Sequence, residues 1–317
     1  MSYRRLLILF LFFAASGLAK EPPQRPPVYG IAHVRFRVTN RDASLAFFAR
    51  GLGFSPKQCQ DGKSDCLAVG GPQFIEIEPA RGFSGDFLVE VGLLTSDVSA
   101  MRKFLLDQGM HPGKIETHGY SSDSVKVNTS TGPQTQVRSS YPSVSVTDPE
   151  GNRITFVQQH GETYFLDYDP RVGKHIIHAG FIVRDRAATE HFYKDILGFR
   201  PYWHGGMKDD ETDWVSMQVP DGTDWLEFMV NVSPDADQRL RGIMNHIAIG
   251  VPDIHETEKL LRAAGAPVNE EPEIGRDGKW QLNVYDPDLT RIEFMEFKPV
   301  QKPCCSEFTA AHPGPEQ

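Results

Sequence analysis

The chain has 317 residues, of which 39% are hydrophobic and 24% are charged, and its formal net charge is −9. This length allows two ordinary domains with separate cores, and the composition is typical of a globular protein. The negative charge, with no basic stripe along the sequence, argues against a nucleic-acid partner.

The N-terminus has the pattern of an export signal. Two arginines precede an apolar run at residues 6–15, and small residues follow at Gly17 and Ala19. We therefore predict a signal peptide over residues 1–19, with an uncleaved anchor as the alternative. The protein is then expected to be periplasmic or secreted, with no stable membrane span after cleavage. Residues 20–28 are predicted to be a proline-rich spacer.

Export would permit disulfide bonds. Cys59 and Cys66 flank a turn-like stretch, so they either pair across a hairpin or remain free thiols. Cys304 and Cys305 are adjacent in a tail, residues 299–317, that we expect to be disordered. Adjacent cysteines seldom bridge each other without strain, so these two either link chains or have no role.

Four related segments follow one another in the chain. The stretch beginning at Tyr29 resembles the one beginning at Lys174, and both run from a histidine through a strand pattern and a helix to Leu-Gly-Phe. The stretch beginning at Glu90 resembles the one beginning at His246, and both close on Asp-Pro, three residues and Arg-Ile. The repeat predicts two copies of a two-module unit.

Each module is predicted to be a strand, a helix and then further strands. Apolar spacing at Ile254, Leu260 and Leu261 favours a helix, and glycines such as Gly109 and Gly265 are typical of helix ends. Period-two runs bounded by turn residues predict the later strands. The fold class is therefore α+β.

A histidine and a glutamate recur in the C-terminal half. His178 and Glu227 are 49 residues apart, and His246 and Glu293 are 47 apart. A lone histidine at a strand start is more often structural, but two imidazoles and two carboxylates at repeated positions are the ligands of a divalent metal. Strand alternation puts His246 on a face with small residues, which suits a cleft better than a filled core.

The repeated module, the Leu-Gly-Phe after its helix and the closing DP-x(3)-RIEF resemble the vicinal oxygen chelate superfamily. That superfamily includes glyoxalase I, bleomycin-resistance proteins and extradiol dioxygenases. The resemblance covers about residues 29–298 and implies four βαβββ modules that form two curved-sheet domains. These would span residues 29–160 and 174–298, with a linker at 161–173.

The resemblance also implies a metal site made by the first and last strands of the C-terminal modules, at His178, Glu227, His246 and Glu293. This set, which is that of glyoxalase I, would hold one divalent ion (Zn, Ni, Co, Fe or Mn). It implies a lyase or isomerase that acts through an enediolate on a small substrate with vicinal oxygens. Glu293 or Glu227 would be the catalytic base, and Glu293 is favoured.

Two alternatives remain at this point. An extradiol-type ring-cleaving dioxygenase would use His178, His246 and Glu293, but the family's acid/base histidine has no match in residues 275–287. A non-catalytic small-molecule-binding protein would not need the complete ligand set. A homodimer is possible in either case, since modules of this superfamily pair within or between chains.

The N-terminal half departs from the ligand pattern. Its equivalent positions are His33, Glu76, Glu90 and Thr155, and Arg35 shares the face of His33. We predict mutual ion pairing and a non-catalytic half, with a weaker metal site at His33, Glu76 and Glu90 as the alternative.

The positions of other polar and aromatic residues within the predicted strands and loops indicate their surroundings. Trp225 shares a face with Glu227 and is expected to line the cleft, whereas Trp203 and Trp214 are expected in packing or on loops. Arg276 and Lys279 are expected to be solvated. Arg291 shares the face of Glu293.

One N-terminal segment is longer than its counterpart. Gly109 and Asp148 are 39 residues apart, whereas Gly265 and Asp286 are 21 apart. The extra residues are polar and predict a long surface loop.

Overall fold

The computed structural model describes residues 24–59, 61–82, 85–121, 127–129, 132–134, 138–158 and 172–315. The predicted signal peptide and most of the predicted linker lie outside these residues. Within the described ranges, no helix has the length and apolar character needed to cross a membrane.

The N-terminal half contains two modules with the predicted order of elements. The first comprises β1 (Val28–Val38), α1 (Arg41–Leu45), a π-helical continuation (Ala46–Gly51), β2 (Ser55–Cys59), β3 (Asp65–Gly70) and β4 (Gln73–Pro79). The second comprises β5 (Leu88–Thr95), α2 (Val98–Asp107), β6 (Glu116–Ser121), β7 (Val127–Thr129), β8 (Gly132–Gln134), β9 (Arg138–Thr147) and β10 (Arg153–Gln158).

The C-terminal half repeats this order. Its first module comprises β11 (His175–Ile182), α3 (Arg186–Glu190), a π-helical continuation (His191–Ile196), β12 (Arg200–Gly205), β13 (Trp214–Gln218) and β14 (Trp225–Met229). After α4 (Gln238–Met244), the second comprises β15 (His246–Val251), α5 (Ile254–Ala263), β16 (Glu273–Ile274), β17 (Trp280–Tyr285) and β18 (Arg291–Glu296). The predicted α+β fold of four modules in two curved sheets is confirmed.

Local chemistry explains where the helices lie. Asp97 and Asp253 cap α2 and α5 by accepting a backbone N–H three residues later. Gly109 and Gly265 follow the same helices with φ of 77°, which glycine adopts without a Cβ clash. The inward faces of the strands, such as Ile247, are fully buried against these helices.

The two sheets differ in closure. The N-terminal sheet is a closed barrel in the order β1-β4-β3-β2-β6-β9-β10-β5. The C-terminal sheet has the order β12-β13-β14-β11-β15-β18-β17-β16 and stays open, because the two-residue β16 pairs with β17 alone. Part of the predicted surface loop instead belongs to the barrel, since β6 pairs with β9 and reaches β2 at Cys59.

The structure of the cysteines and of the C-terminal tail differs in part from the sequence predictions. Cys59 is bonded to Cys66 across the β2–β3 hairpin, which selects the paired alternative. Cys304 is bonded to Cys305, so the prediction that these two either link chains or have no role is wrong. The described part of the tail contradicts the predicted disorder, because it runs along β12: Trp203 Nε1 donates to the carbonyl of Cys304 at 3.2 Å. β12 is an edge strand, and the tail bonds to backbone groups on its outer side, such as the Tyr202 carbonyl. Composition alone does not reveal that a sheet edge is covered in this way.

The halves pack through buried polar contacts as well as a shared apolar core. The backbone N–H of Ile31 donates to Asp224 Oδ2 at 2.8 Å. The Gln73 amide donates to the carbonyls of Ile31 and Ile176, each at 3.0 Å, and accepts from the Ile176 N–H at 2.6 Å. These bonds satisfy backbone groups of β1 and β11 that the sheets leave open.

Candidate metal centre

Strand register brings the four predicted ligands to the middle of the C-terminal sheet. In one row, Gly180 of β11 lies between Glu227 of β14 and His246 of β15. In the next row, Ala248 of β15 lies between His178 and Glu293. A Cβ on Gly180 would lie 2.1 Å from the His246 ring, so the small residue makes room for the imidazole.

The ligand atoms converge. His178 Nε2 and His246 Nε2 are 3.0 Å apart. Glu227 Oε2 is 3.4 Å from His246 Nε2, and Glu293 Oε2 is 3.4 Å from His178 Nε2 and 3.7 Å from His246 Nε2. The ligand atoms of His178, Glu227 and His246 all lie within 4.8 Å of one another. Glu293 lies outside that tightest group but contacts both imidazoles.

Surrounding contacts orient these side chains. His246 Nδ1 is 3.2 Å from the Met244 carbonyl, which can only accept, so the Nε2 lone pair faces the centre. His178 packs on Trp225, with ring centroids 4.7 Å apart. The Gln281 amide is oriented so that its oxygen accepts from the Gly275 N–H and its nitrogen donates to Glu293 Oε1 at 2.7 Å.

Burial and charge favour the ligating protonation states. Burial, then the charges of Arg291 and His178, lower the pKa of His246 to about 4. Burial alone would raise the pKa of Glu293, but Arg291 and His178 outweigh it and bring the pKa to about 2. Burial would also raise the pKa of Glu227, but the two histidines outweigh it and lower that pKa. At neutral pH the group therefore offers a neutral His246 imidazole and ionised carboxylates, as metal ligation requires.

A cavity of about 420 Å³ opens over Glu227 and Glu293. Charged, polar and apolar side chains share its walls, and the aromatic ones are Tyr202, Trp203, Trp214, Trp225 and Phe308. Trp225 lines the cleft as strand alternation predicted. Trp203 and Trp214 pack in one aromatic cluster, as expected, but both also line the cavity, which was not predicted.

Lys279 also departs from its prediction. Its side chain is fully buried, and its Nζ has no hydrogen-bond partner among the described residues. The Nζ lies 4.5 Å from the ring centroid of Trp225 and 5.1 Å from that of Phe308. Burial lowers the pKa of Lys279 to about 8, against the raising effect of Asp277. Arg276 lines the cavity mouth and pairs with Asp209.

In the N-terminal half, the guanidinium of Arg35 occupies the position that corresponds to Gly180. Arg35 lies 2.9 Å from Glu76 and 3.3 Å from Glu90. His33 Nε2 is 3.2 Å from Glu90, and Thr155 donates to the same carboxylate at 2.5 Å. The predicted ion pairing is confirmed, and a guanidinium stands beside both carboxylates of the alternative metal site.

Comparison with known proteins agrees with this geometry. Residues 175–294 match the family described as the Glyoxalase/Bleomycin resistance protein/Dioxygenase superfamily. The chain is 31% identical over 125 residues to a lactoylglutathione lyase of Haemophilus influenzae, a match that covers 39% of this chain and 93% of that protein. The chain belongs to the glyoxalase/bleomycin resistance protein/dioxygenase superfamily.

Three further proteins extend the comparison. A probable chloroplastic lactoylglutathione lyase of Arabidopsis thaliana is 25% identical over 135 residues, covering 42% of this chain and 38% of that protein. Homoprotocatechuate 2,3-dioxygenase from Brevibacterium fuscum has a TM-score of 0.59 at 16% identity, over 90% of this chain and 83% of that one. A catechol 2,3-dioxygenase gives a TM-score of 0.59 at 16% identity, over 92% and 96%. At such identities the structural likeness shows the fold alone.

Proposed function

We propose that the C-terminal half is a divalent-metal-dependent lyase or isomerase of the glyoxalase type, acting on a small substrate with vicinal oxygens. The observation that carries the proposal is the convergence of two imidazoles and two carboxylates at one wall of an aromatic cavity. The similarity to proteins named lactoylglutathione lyases supports the same class of reaction.

The donor set fits a first-row transition ion. Two nitrogens with two carboxylate oxygens suit Zn, Ni, Co, Fe or Mn better than the all-oxygen sites of calcium or magnesium. His178, Glu227, His246 and Glu293 would hold the ion. When bound, it would supply Lewis-acid polarisation of two neighbouring substrate oxygens.

Glu227 is the better placed of the two carboxylates to move a proton. Glu293 is fixed by Gln281 at 2.7 Å, and its side chain is only 3% exposed. Glu227 has a weaker hydrogen bond, from Ser216 at 3.4 Å, and its side chain is 13% exposed at the cavity. We therefore assign to Glu227 the transfer of a proton beside a substrate carbonyl, and to Glu293 a holding role. This reverses the preference drawn from the sequence.

The dioxygenase alternative has less support. Its structural likeness is at 16–17% identity and therefore concerns the fold. Among the described residues that line the cavity there is no histidine to serve as a separate acid or base. An export signal would also disfavour a glutathione-linked substrate, so we propose another small, oxygen-rich molecule as the substrate.

Proton exchange tests the proposal. Metal-loaded protein would be incubated in D₂O with α-hydroxy ketones and with thiol adducts of small 2-oxoaldehydes, and NMR would follow the proton next to the carbonyl. Wild-type protein should catalyse exchange, and Glu227→Gln should lower the rate by about 100-fold or more while metal stays bound. Glu273→Gln, at an exposed carboxylate on the rim, is the matched control. No exchange with any of the five metals would contradict the proposal.

A further inference from the structure

A C-terminal strap, which we define as residues 301–314, crosses the open edge of the C-terminal sheet. Backbone contacts fix it along β12, where the Thr309 N–H donates to the Tyr202 carbonyl at 3.1 Å. Tyr202 Oη and His312 Nδ1 are 2.6 Å apart, and the Gln218 amide donates to the Ala311 carbonyl at 2.9 Å. The strap is therefore anchored on both β12 and β13.

The strap brings Phe308 into the cavity wall. The Phe308 ring lies 4.9 Å from the Tyr202 ring and 6.4 Å from the Trp203 ring, measured between centroids. Its centroid also lies 5.1 Å from the Lys279 ammonium. A buried ammonium without a hydrogen-bond acceptor is costly unless aromatic faces and nearby carboxylates surround it, so Lys279 favours the strap in this position.

The strap lies outside the part of the chain that matches the superfamily, which ends at residue 294. The shared module therefore supplies the metal ligands, whereas this chain adds a further wall of the cavity. Trp203 and Trp214 stack with an interplanar angle of 15°, and Phe308 lies beside Trp203 at 30°. The parts of these rings that line the cavity can pack against an aromatic group of a ligand in an offset-stacked or edge-to-face arrangement.

We propose that the strap is a working part of the site, in which Phe308 selects ligands that carry an aromatic group beside their vicinal oxygens. Lys279 acts as a positioning residue that holds Phe308 over the cavity. The selectivity claim rests on the proposed function, since the oxygens would be held at the metal centre. The wall itself does not depend on a metal.

Acrylamide quenching of tryptophan fluorescence tests the wall without metal or turnover. Trp203, Trp214 and Trp225 line the cavity, and the chain has four tryptophans in all. Phe308→Ala should raise the quenching constant by about two-fold, because it uncovers faces that packing now shields. Lys279→Met should raise it to a smaller extent. Glu307→Ala, at an exposed neighbouring residue of the strap, should leave it unchanged.

Mandelate and lactate test the selectivity, since they carry the same oxygens but differ in a phenyl or methyl group. Calorimetry on the full chain, with and without Zn²⁺ or Ni²⁺, should show wild-type protein binding mandelate about ten-fold more tightly than lactate, and Phe308→Ala should remove most of this preference. If wild-type protein prefers mandelate but binds it equally well with and without the metal ion, the proposed function fails while the role of the strap stands. Equal affinities in wild-type protein, or a Phe308→Ala variant that matches Glu307→Ala in both experiments, would overturn the role of the strap.

Discussion

Equivalent rows of the two sheets carry opposite chemistry at their centres. In the C-terminal sheet, Gly180 pairs with His246, and the glycine leaves space for the imidazole. In the N-terminal barrel, the corresponding pair is Arg35 and Glu90, and the guanidinium lies within 3.3 Å of the carboxylate. Three exchanges separate the halves: Arg35 stands for Gly180, Glu90 for His246 and Thr155 for Glu293. The N-terminal carboxylates therefore pair with a cation of the chain at the position that Gly180 leaves open in the C-terminal sheet.

The halves also differ in access. The longer segment after Gly109 lets β6 reach β2 and close the N-terminal barrel. The shorter C-terminal segment leaves β16 two residues long, so the sheet stays open above the candidate metal centre. The same duplicated fold therefore yields a closed, internally neutralised half and an open half with a cavity.

Gly180→Arg should break the comparison most strongly. An arginine here would place a guanidinium beside the C-terminal carboxylates, as Arg35 does in the N-terminal half. Its side chain would displace His246 and pair with Glu227 or Glu293. We expect divalent-metal affinity to fall by about 100-fold or more, since even the loss of a residue that only supports a ligand costs about 10- to 100-fold. Gly180→Leu is the control and should be less stable than Gly180→Arg, since it overpacks the row without neutralising it. Full metal binding by Gly180→Arg would contradict the comparison.

Arg35→Met should test the opposite half. Removing the guanidinium takes a close cation from the buried carboxylates of Glu76 and Glu90. Arg153 stays 3.6 Å from Glu90, so we expect a loss of about 3 kcal/mol in the free energy of unfolding, the lower end for a broken buried ion pair. Urea denaturation measures this loss. Added Zn²⁺ should restore part of the stability when Arg35→Met is made in the His246→Ala/Glu293→Ala background, and it should not stabilise that background alone. A variant as stable as wild type would show that Arg35 does not neutralise this half.

A smaller difference between the two halves is the effect of pH on their stability. His175 lies between two acceptors, Asp224 Oδ1 and the Gly314 carbonyl, each at 2.7 Å, so both bonds form only when the imidazole is protonated. Gly30, three residues before His33, offers no such group in the N-terminal half. Burial alone would lower the pKa of His175, but the hydrogen bond and charge of Asp224 raise it above its ordinary value of 6.5.

Because the folded pKa is raised, the stabilisation is complete below about pH 6.5 and is lost as pH rises through the folded value. Wild-type protein should therefore lose about 2 kcal/mol relative to His175→Gln between pH 6 and 9, about the contribution of a charged hydrogen bond. Chemical denaturation across this range measures the difference. Parallel curves for the two proteins would count against a protonated His175.

The sequence predicts the parts of the site that the repeat determines. His246 and Glu293 were predictable because each has a counterpart at the same place in a neighbouring module, and register follows from alternation. Trp203 and Phe308 were not placed in the cavity, because their contact spans more than a hundred residues of sequence and depends on an open sheet edge. The prediction for Lys279 was wrong for the same reason, since Phe308 of the strap is one of the rings that surround its ammonium. The contrast between Glu293, which is hydrogen-bonded to Gln281, and the more exposed Glu227 also depends on contacts that no periodic sequence pattern predicts.

The metal content of purified protein, prepared without chelator, tests the central claim most directly. Wild-type protein should hold about one divalent ion per chain, and His246→Ala/Glu293→Ala should hold almost none. His33→Ala, the N-terminal counterpart, should retain the ion. Metal that persists in the C-terminal double variant, or that is absent from wild-type protein even after soaking with Zn²⁺, Ni²⁺, Co²⁺, Fe²⁺ and Mn²⁺, would contradict the account.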